Sequence, residues 1–274
     1  MLVLIKGAGD LATGTACRLY RAGMQVVMTE IPQPTAVRRT VAFCQCIYDG
    51  CTQVEGITAR RAEGPAEAAG CLRRREIPVL ADPEARIRAA FPFDGMVDAI
   101  LAKKNLGTRI TDAPIVLALG PGFTAGLDCH GVVETQRGHD LGRLLCEGSA
   151  APNTGVPGDI GGYTVQRLIR AGAEGIFHPA VSIGDLVQEG DVVAWVGGVP
   201  VRAGMSGTVR GMLPEGCAVT AGMKAGDIDP RCQRRHCFTV SDKARAVGGG
   251  VLEGLLYFSA RRAGAGEVEL PWNG

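Results

Sequence analysis

The chain has 274 residues, enough for one large domain or two ordinary ones. Its 29 Lys and Arg against 28 Asp and Glu leave a formal charge of +1, with no basic stripe for gripping nucleic acid. Hydrophobic residues at 46% argue against disorder, and no apolar run approaches the roughly 18 residues of a membrane span.

The opening MLVLIK is shorter than the core of a signal peptide, about 7–15 residues, so a cytoplasmic protein with reduced thiols is expected. Glycine is abundant, 40 of 274 residues or about twice the usual share, and reads as turns and close backbone approaches. The ten cysteines include Cys44, Cys46 and Cys51, spaced C-x-C-x4-C, and Cys232 and Cys237 on either side of His236. Neither group has the paired spacing of a zinc site, and no metal-ligating set is predicted. A sulfur, selenium or metal role for one thiol stays open beside the reading of buried, inert thiols.

Residues 2–6 form a short apolar run closed by Gly7, which reads as a buried parallel strand. A helical rhythm follows over 11–21 and a second strand over 25–30, making a βαβ unit. Residues 35–43 read as a helix, 52–58 as a strand, 64–75 as a helix, and 77–81, 96–102, 113–119 and 132–135 as further strands. The alternation predicts an α/β class: an N-terminal Rossmann-like, doubly wound parallel sheet over 1–146. Residues 147–174 read as a linker ending in a short helix over 163–171.

Residues 175–231 read as all-β and repeat. The pattern Gly, two residues, Val, two residues, Gly occurs at 184–190 and again at 216–222. This resembles the barrel-sandwich hybrid of biotinyl and lipoyl carrier domains. A carrier needs a lysine on the hairpin between the halves, and that hairpin, 197–201, has none. Residues 232–274 supply a final helix over 241–262, capped by Ser241, and a tail. Gly248, Gly249, Gly250 and Gly254 each weaken that helix unless another backbone packs against them.

Four stretches carry candidate chemistry. Gly7, Gly9 and Ala12 fit the G-x-G-x-x-G/A fingerprint, which brings a pyrophosphate to a helix N-terminus. Glu30 ends the second strand, where a carboxylate bonds a ribose 2′-hydroxyl and favours NAD; Asp10 stands inside the loop. Gly120 and Gly122 form a second glycine turn beyond a strand, with Lys103 and Lys104 as further phosphate candidates. Residues 128–139 gather Asp128, Cys129, His130, Glu134, Arg137 and His139. Arg137 there suits an anionic cofactor and Glu134 or His139 proton transfer, unless the stretch is a polar interdomain loop. Lys224, Asp227, Asp229 and Arg231 read first as a salt-bridged turn.

The strings GAGDLATG (7–14), GPGFTAG (120–126), VVETQRGHDLGR (132–143), NTGVPGDIGGY (153–163), GMKAGDIDPR (222–231) and SDKARAVGGGVLEG (241–254) together resemble the YqeB family of accessory proteins for selenium-dependent molybdenum hydroxylases. The N-terminal part is also similar to the XdhC/CoxI maturation factors. The resemblance implies service to a hydroxylase apoenzyme, a molybdopterin-type cofactor as ligand, and handling of selenium or sulfur, for which Cys129 is the expected carrier. An NAD-dependent oxidoreductase and a non-catalytic docking scaffold are the alternatives. The near-neutral charge permits a homo-oligomer.

Overall fold

A computed structural model describes residues 1–264. The tail expected over 263–274 lies, from residue 265 on, outside the described residues.

The first strands are β1 (Leu2–Lys6), β2 (Gln25–Glu30), β3 (Cys51–Val54), β4 (Ile57–Arg61) and β5 (Ile77–Ala81). They continue as β6 (Gly95–Asp98), β7 (Val116–Leu119), β8 (Gly131–Val133) and β9 (Leu144–Leu145). These nine make one sheet in the order β3-β4-β5-β2-β1-β6-β7-β8-β9. Its interior pairings are parallel, while β3 and β9 close the two edges antiparallel. The sheet is therefore mixed, and this corrects the doubly wound parallel expectation.

The helices depart from that expectation too. Helix α1 (Asp10–Arg21) links β1 to β2, a single turn, α2 (Cys46–Asp49), precedes β3, and α3 (Pro65–Arg73) links β4 to β5. From β5 onward the described parallel crossovers run through loops and one 3₁₀ turn, Arg86–Ala89. Apolar side chains of α1 and of the final helix, α4 (Asp242–Arg262), cover one sheet face with Val3, Ile5, Val26 and Leu117. On the other face Leu4, Val27, Met96 and Val116 pack with Ala68 of α3 and with loop residues such as Phe123. The helix layer is completed from the far end of the chain rather than by alternation.

Three local readings are corrected. The single strand at 52–58 is a hairpin, β3 and β4, because Glu55 (φ 48°) and Gly56 (φ 83°) form a turn with positive φ at both central positions. The helix at 35–43 is two 3₁₀ turns, Arg39–Val41 and Phe43–Gln45. The helix at 163–171 is a 3₁₀ turn followed by strand β10 (Leu168–Arg170). Ile169 there is fully buried among strands, and a short apolar run has no period long enough to separate helix from strand.

The remaining strands are β11 (Gly175–Pro179), β12 (Leu186–Val187), β13 (Val192–Val196), β14 (Val199–Arg202), β15 (Gly207–Met212), β16 (Cys217–Val219) and β17 (Lys224–Asp229). They form two antiparallel sheets, β10-β17-β15-β12 and β14-β13-β11-β16, around Phe177, Val193, Val209, Met212 and Ile228. The repeat places β12 in one sheet and β16 in the other. Gly184, Gly190, Gly216 and Gly222 all take positive φ, as turns at equivalent places require.

This module is fastened to the larger sheet by residues 37–39. The Met212 amide donates to the Val37 carbonyl at 2.7 Å, and Arg39 Nε donates to the Met212 carbonyl at 3.0 Å.

Helix α4 begins at Ser241, whose hydroxyl accepts from the Ala244 amide at 3.2 Å. It runs unbroken through its glycines because three of them lie against other atoms. A Cβ on Gly248 would stand 3.1 Å from the Gly14 carbonyl oxygen, and one on Gly254 would stand 2.9 Å from Leu117. On Gly250 it would collide with the Gly142 carbonyl oxygen.

Candidate functional site

A cleft of about 590 Å³ opens beyond the ends of β1, β7 and β8. Residues 151–158 and the β10-β17-β15 face of the module complete its walls. Ligands of open α/β sheets sit at the carboxyl ends of strands, so the position is the expected one.

Arg38, Lys103, Arg137 and Lys243 line the cleft from the large sheet and α4, and Arg167, Arg170, Arg210 and Lys224 line it from the module. Asp10 and Asp227 are the acidic residues lining it. Helices α1 and α4 both start here, with Asp10, Leu11, Ser241 and Lys243 in the wall, so two helix N-termini add positive potential.

Several of these cations are already paired. Arg38 donates to Asp10 Oδ2 at 3.2 Å and to the His236 carbonyl at 3.0 Å. Burial pushes the Arg38 guanidinium down from its ordinary pKa, and the charge of Arg210 adds to that, against the pull of Asp10. Arg167 grips both oxygens of Asp227, at 2.9 and 3.2 Å. Arg137 grips both oxygens of Asp242, at 2.8 and 3.1 Å. Burial also lowers the Lys243 ammonium, helped by Arg137, while Asp10 and Glu134 oppose it.

Arg210 differs. It is 6% exposed, and its Nε is buried without a hydrogen-bond partner among the described residues. Its nearest carboxylates are Asp227 at 3.7 Å and Asp229 at 4.0 Å. A buried guanidinium donor left without an acceptor is costly, and the two carboxylates answer its charge but not that donor.

The residues predicted from sequence fare unequally. Asp10 and Arg137 line the cleft. A Cβ on Gly9 would meet open space, whereas one on Gly7 would press on the Ala99 carbonyl at 2.8 Å, and Ala12 is buried. Glu30 folds back on the glycine loop, accepting from the amides of Ala8 at 2.9 Å and Ile31 at 2.8 Å. Burial raises its carboxyl pKa. The Cys44 amide donates to the Ala8 carbonyl at 2.9 Å, so residues 43–46 pack against the glycine loop.

Gly120 and Gly122 are tightly packed, against Thr135 Oγ1 and the Lys104 backbone respectively, with Pro121 facing the cleft. Lys104 and His139 are exposed and outside the cleft lining.

Glu134 does not stand free for proton transfer. Its carboxylate accepts from the amides of Thr135 and Gln136, both at 2.6 Å, and of Ala151 at 2.7 Å. It fastens the 151–158 wall to the end of β8. Cys129 is fully buried in the core on the α3 side of the sheet, and burial pushes its thiol up to about 12, so it is a poor carrier. Among the described residues no three His, Cys, Asp or Glu gather as a metal site. No described helix is long and apolar enough to cross a membrane.

Sequence reasoning missed Arg38, Arg167, Arg210 and Lys243. The one visible signal was charge inside strand β15, where all six residues are buried.

Fold and cleft together define an α/β protein with a cationic cleft between a mixed sheet and an antiparallel β-module. Over 255 residues, 93% of this chain, the sequence is 54% identical to YqeB of Escherichia coli, described as an uncharacterized protein. The chain spans about half (47%) of that relative's length. No protein-family model matches the chain.

Among solved structures it aligns with an aspartoacylase family protein from Mesorhizobium loti at 13% identity and a TM-score of 0.27. It also aligns with the ectoine utilization protein EutE from Ruegeria pomeroyi at 12% and 0.25, and a succinylglutamate desuccinylase from Silicibacter at 16% and 0.25. Each alignment covers 83% of this chain and 84% of the other.

Proposed function

We propose that this chain binds a phosphorylated small molecule, a nucleotide or a molybdopterin-type cofactor, in the cationic cleft. In that role it serves as an accessory protein in maturing a selenium-dependent molybdenum hydroxylase. The observation that carries the binding half is the buried, unpartnered Nε of Arg210 in a cleft lined by eight cationic side chains and two acidic ones. Two helix N-termini at the same place add to the attraction for phosphate. The accessory half rests on the resemblance to the YqeB family.

The residues fit such a ligand. Arg210, Lys243 and Lys224 supply charge, and Pro121, Leu119 and Leu101 supply apolar wall for a ring. A pterin or nucleotide held here lies against β7, β8 and the module. It does not lie across the Gly7 loop, which Glu30 and residues 43–46 occupy.

Anaerobic calorimetric titration with NAD, NADP and molybdopterin cofactor tests the reading. Micromolar binding of the pterin, weakened by Lys243→Met and Arg137→Ala, supports it. Binding of NAD alone moves the function to a nicotinamide-dependent redox reaction. Absence of all binding overturns the reading.

A further inference from the structure

We propose that Arg210, with Arg38 beside it, forms a dedicated phosphate subsite deep in the cleft and takes the terminal phosphate of the ligand; this rests on the reading of the cleft as a site for a phosphorylated molecule. The backbone is built around Arg210. Strand β15 pairs Val209 with Ile228 and then Gly211 with Asp227, so Arg210 is the extra residue of a β-bulge. A bulge re-aims a side chain that a regular ladder would send elsewhere. Here it sends a guanidinium toward the cleft from a strand whose other residues are all buried.

The neighbouring acids do not satisfy it. Asp227 is held by the fork of Arg167, and Asp229 by the fork of Arg231 at 2.9 and 2.7 Å. They offer Arg210 attraction at 3.7 and 4.0 Å but no hydrogen bond. Its Nε is buried without an acceptor, and so is the Nε of Arg38, which is 7% exposed and also lines the cleft.

Two buried guanidiniums in mutual repulsion, each with an unused donor, call for an anion with more than two oxygens. A carboxylate saturates one arginine fork. A phosphate monoester presents three oxygens and close to two charges near neutral pH, which suits the Arg210 guanidinium together with the charge of Arg38, whose own fork is held by Asp10 and the His236 carbonyl.

The test is calorimetry on the full chain with inorganic pyrophosphate and, separately, citrate. The wild type is expected to bind pyrophosphate more tightly than citrate. Arg210→Gln is expected to weaken pyrophosphate about 10–100-fold, the usual range for lost charge-assisted hydrogen bonds. Arg210→Lys keeps the charge beside Asp227 and Asp229 and recovers part of that loss, and Lys104→Gln stays within about twofold.

Melting temperatures separate folding from binding. If the glutamine variant does not fold, the lysine variant decides. Phenylglyoxal labelling of Arg210 in the unsubstituted chain, blocked by pyrophosphate, gives the same readout without a substitution. Pyrophosphate binding that ignores both Arg210 variants, or labelling that pyrophosphate does not slow, overturns the subsite and leaves the cleft reading standing. Tighter citrate binding overturns the phosphate assignment. A wild type that binds neither pyrophosphate nor any nucleotide or pterin overturns both.

Discussion

Gly14 on α1 faces Ala244 on α4 so closely that a methyl group on Gly14 would lie 2.5 Å from the Ala244 Cβ. Further along, a Cβ on Gly248 would touch the Arg18 Cβ at 3.2 Å, so the two helices run in the same sense. Both therefore bring their N-termini to one end, the end that faces the cleft.

The glycines of α4 are expected to separate into two kinds. Gly250→Ala would push a methyl into the Gly142 carbonyl and Val133, and such overpacking costs about 1–3 kcal/mol or more. That outweighs the gain of about 1 kcal/mol from better helix propensity. Gly249→Ala meets only the tip of Arg18, at 4.0 Å, and keeps the gain. Chemical denaturation of the two variants checks this; equal stabilities would show that the helix contact is not this tight.

Glu134 is expected to be a structural anchor. Glu134→Gln turns one acceptor into a donor facing a backbone amide, at a cost of about 1–3 kcal/mol. Hydrogen exchange over residues 151–158 is expected to speed up, and that wall of the cleft to loosen. Unchanged exchange there would remove Glu134 from this role.

Acid is expected to weaken the module in a defined window. Burial alone would raise the Asp229 carboxyl, but hydrogen bonds from Arg231 and the charges of Arg231 and Arg210 bring it down to about 2, from 3.8. Between those values the unfolded chain binds the proton and the folded chain does not. The contribution, on the order of 2 kcal/mol, is therefore full above about pH 4 and lost as pH falls through about 2. Urea midpoints from pH 5 to 2 should fall less steeply in Arg231→Ala than in the wild type; parallel slopes would refute the assignment.

Thiol labelling is expected to follow burial. Cys51 and Cys232 are exposed and should react with iodoacetamide within minutes at pH 8. Cys129, with its thiol near 12, and Cys17, raised to about the same value by burial, should react only on unfolding. Fast labelling of Cys129 in the folded protein would return it to consideration as a sulfur or selenium carrier.

Anion affinity is expected to fall as the solution becomes alkaline, earlier than an ordinary lysine would require. Burial and Arg137 lower the Lys243 ammonium, with Lys103 adding to this and Asp10 and Glu134 opposing it. A bound anion favours the charged form, so binding draws a proton onto Lys243 once that group has begun to deprotonate. Pyrophosphate titrations from pH 7 to 10 should show the decline in the wild type and a flatter profile in Lys243→Met.

The local elements were legible where period and punctuation agreed. Residues 2–6, 25–30 and 77–81 are strands with those bounds, and the helix capped by Ser241 ends at Arg262. Short-range sterics and capping decide such segments, and both are written in neighbouring residues. The mixed order of the large sheet was not legible, because β3 and β9 are edge strands whose direction depends on the turn or loop before them and on which neighbour is free.

The site divides in the same way. Sequence alone marked Gly9, Asp10 and Arg137, which lie in two of the quoted strings and reach one end of the fold. It also marked Cys129, Glu134 and Glu30, whose chemistry burial and backbone amides then took away. Arg38, Arg210 and Lys243 stand at least 33 positions apart in sequence, and only packing brings them to one cleft. Residue type and spacing determined what each stretch can be. The tertiary structure decided which charges meet, because burial and electrostatics act through space and not along the chain.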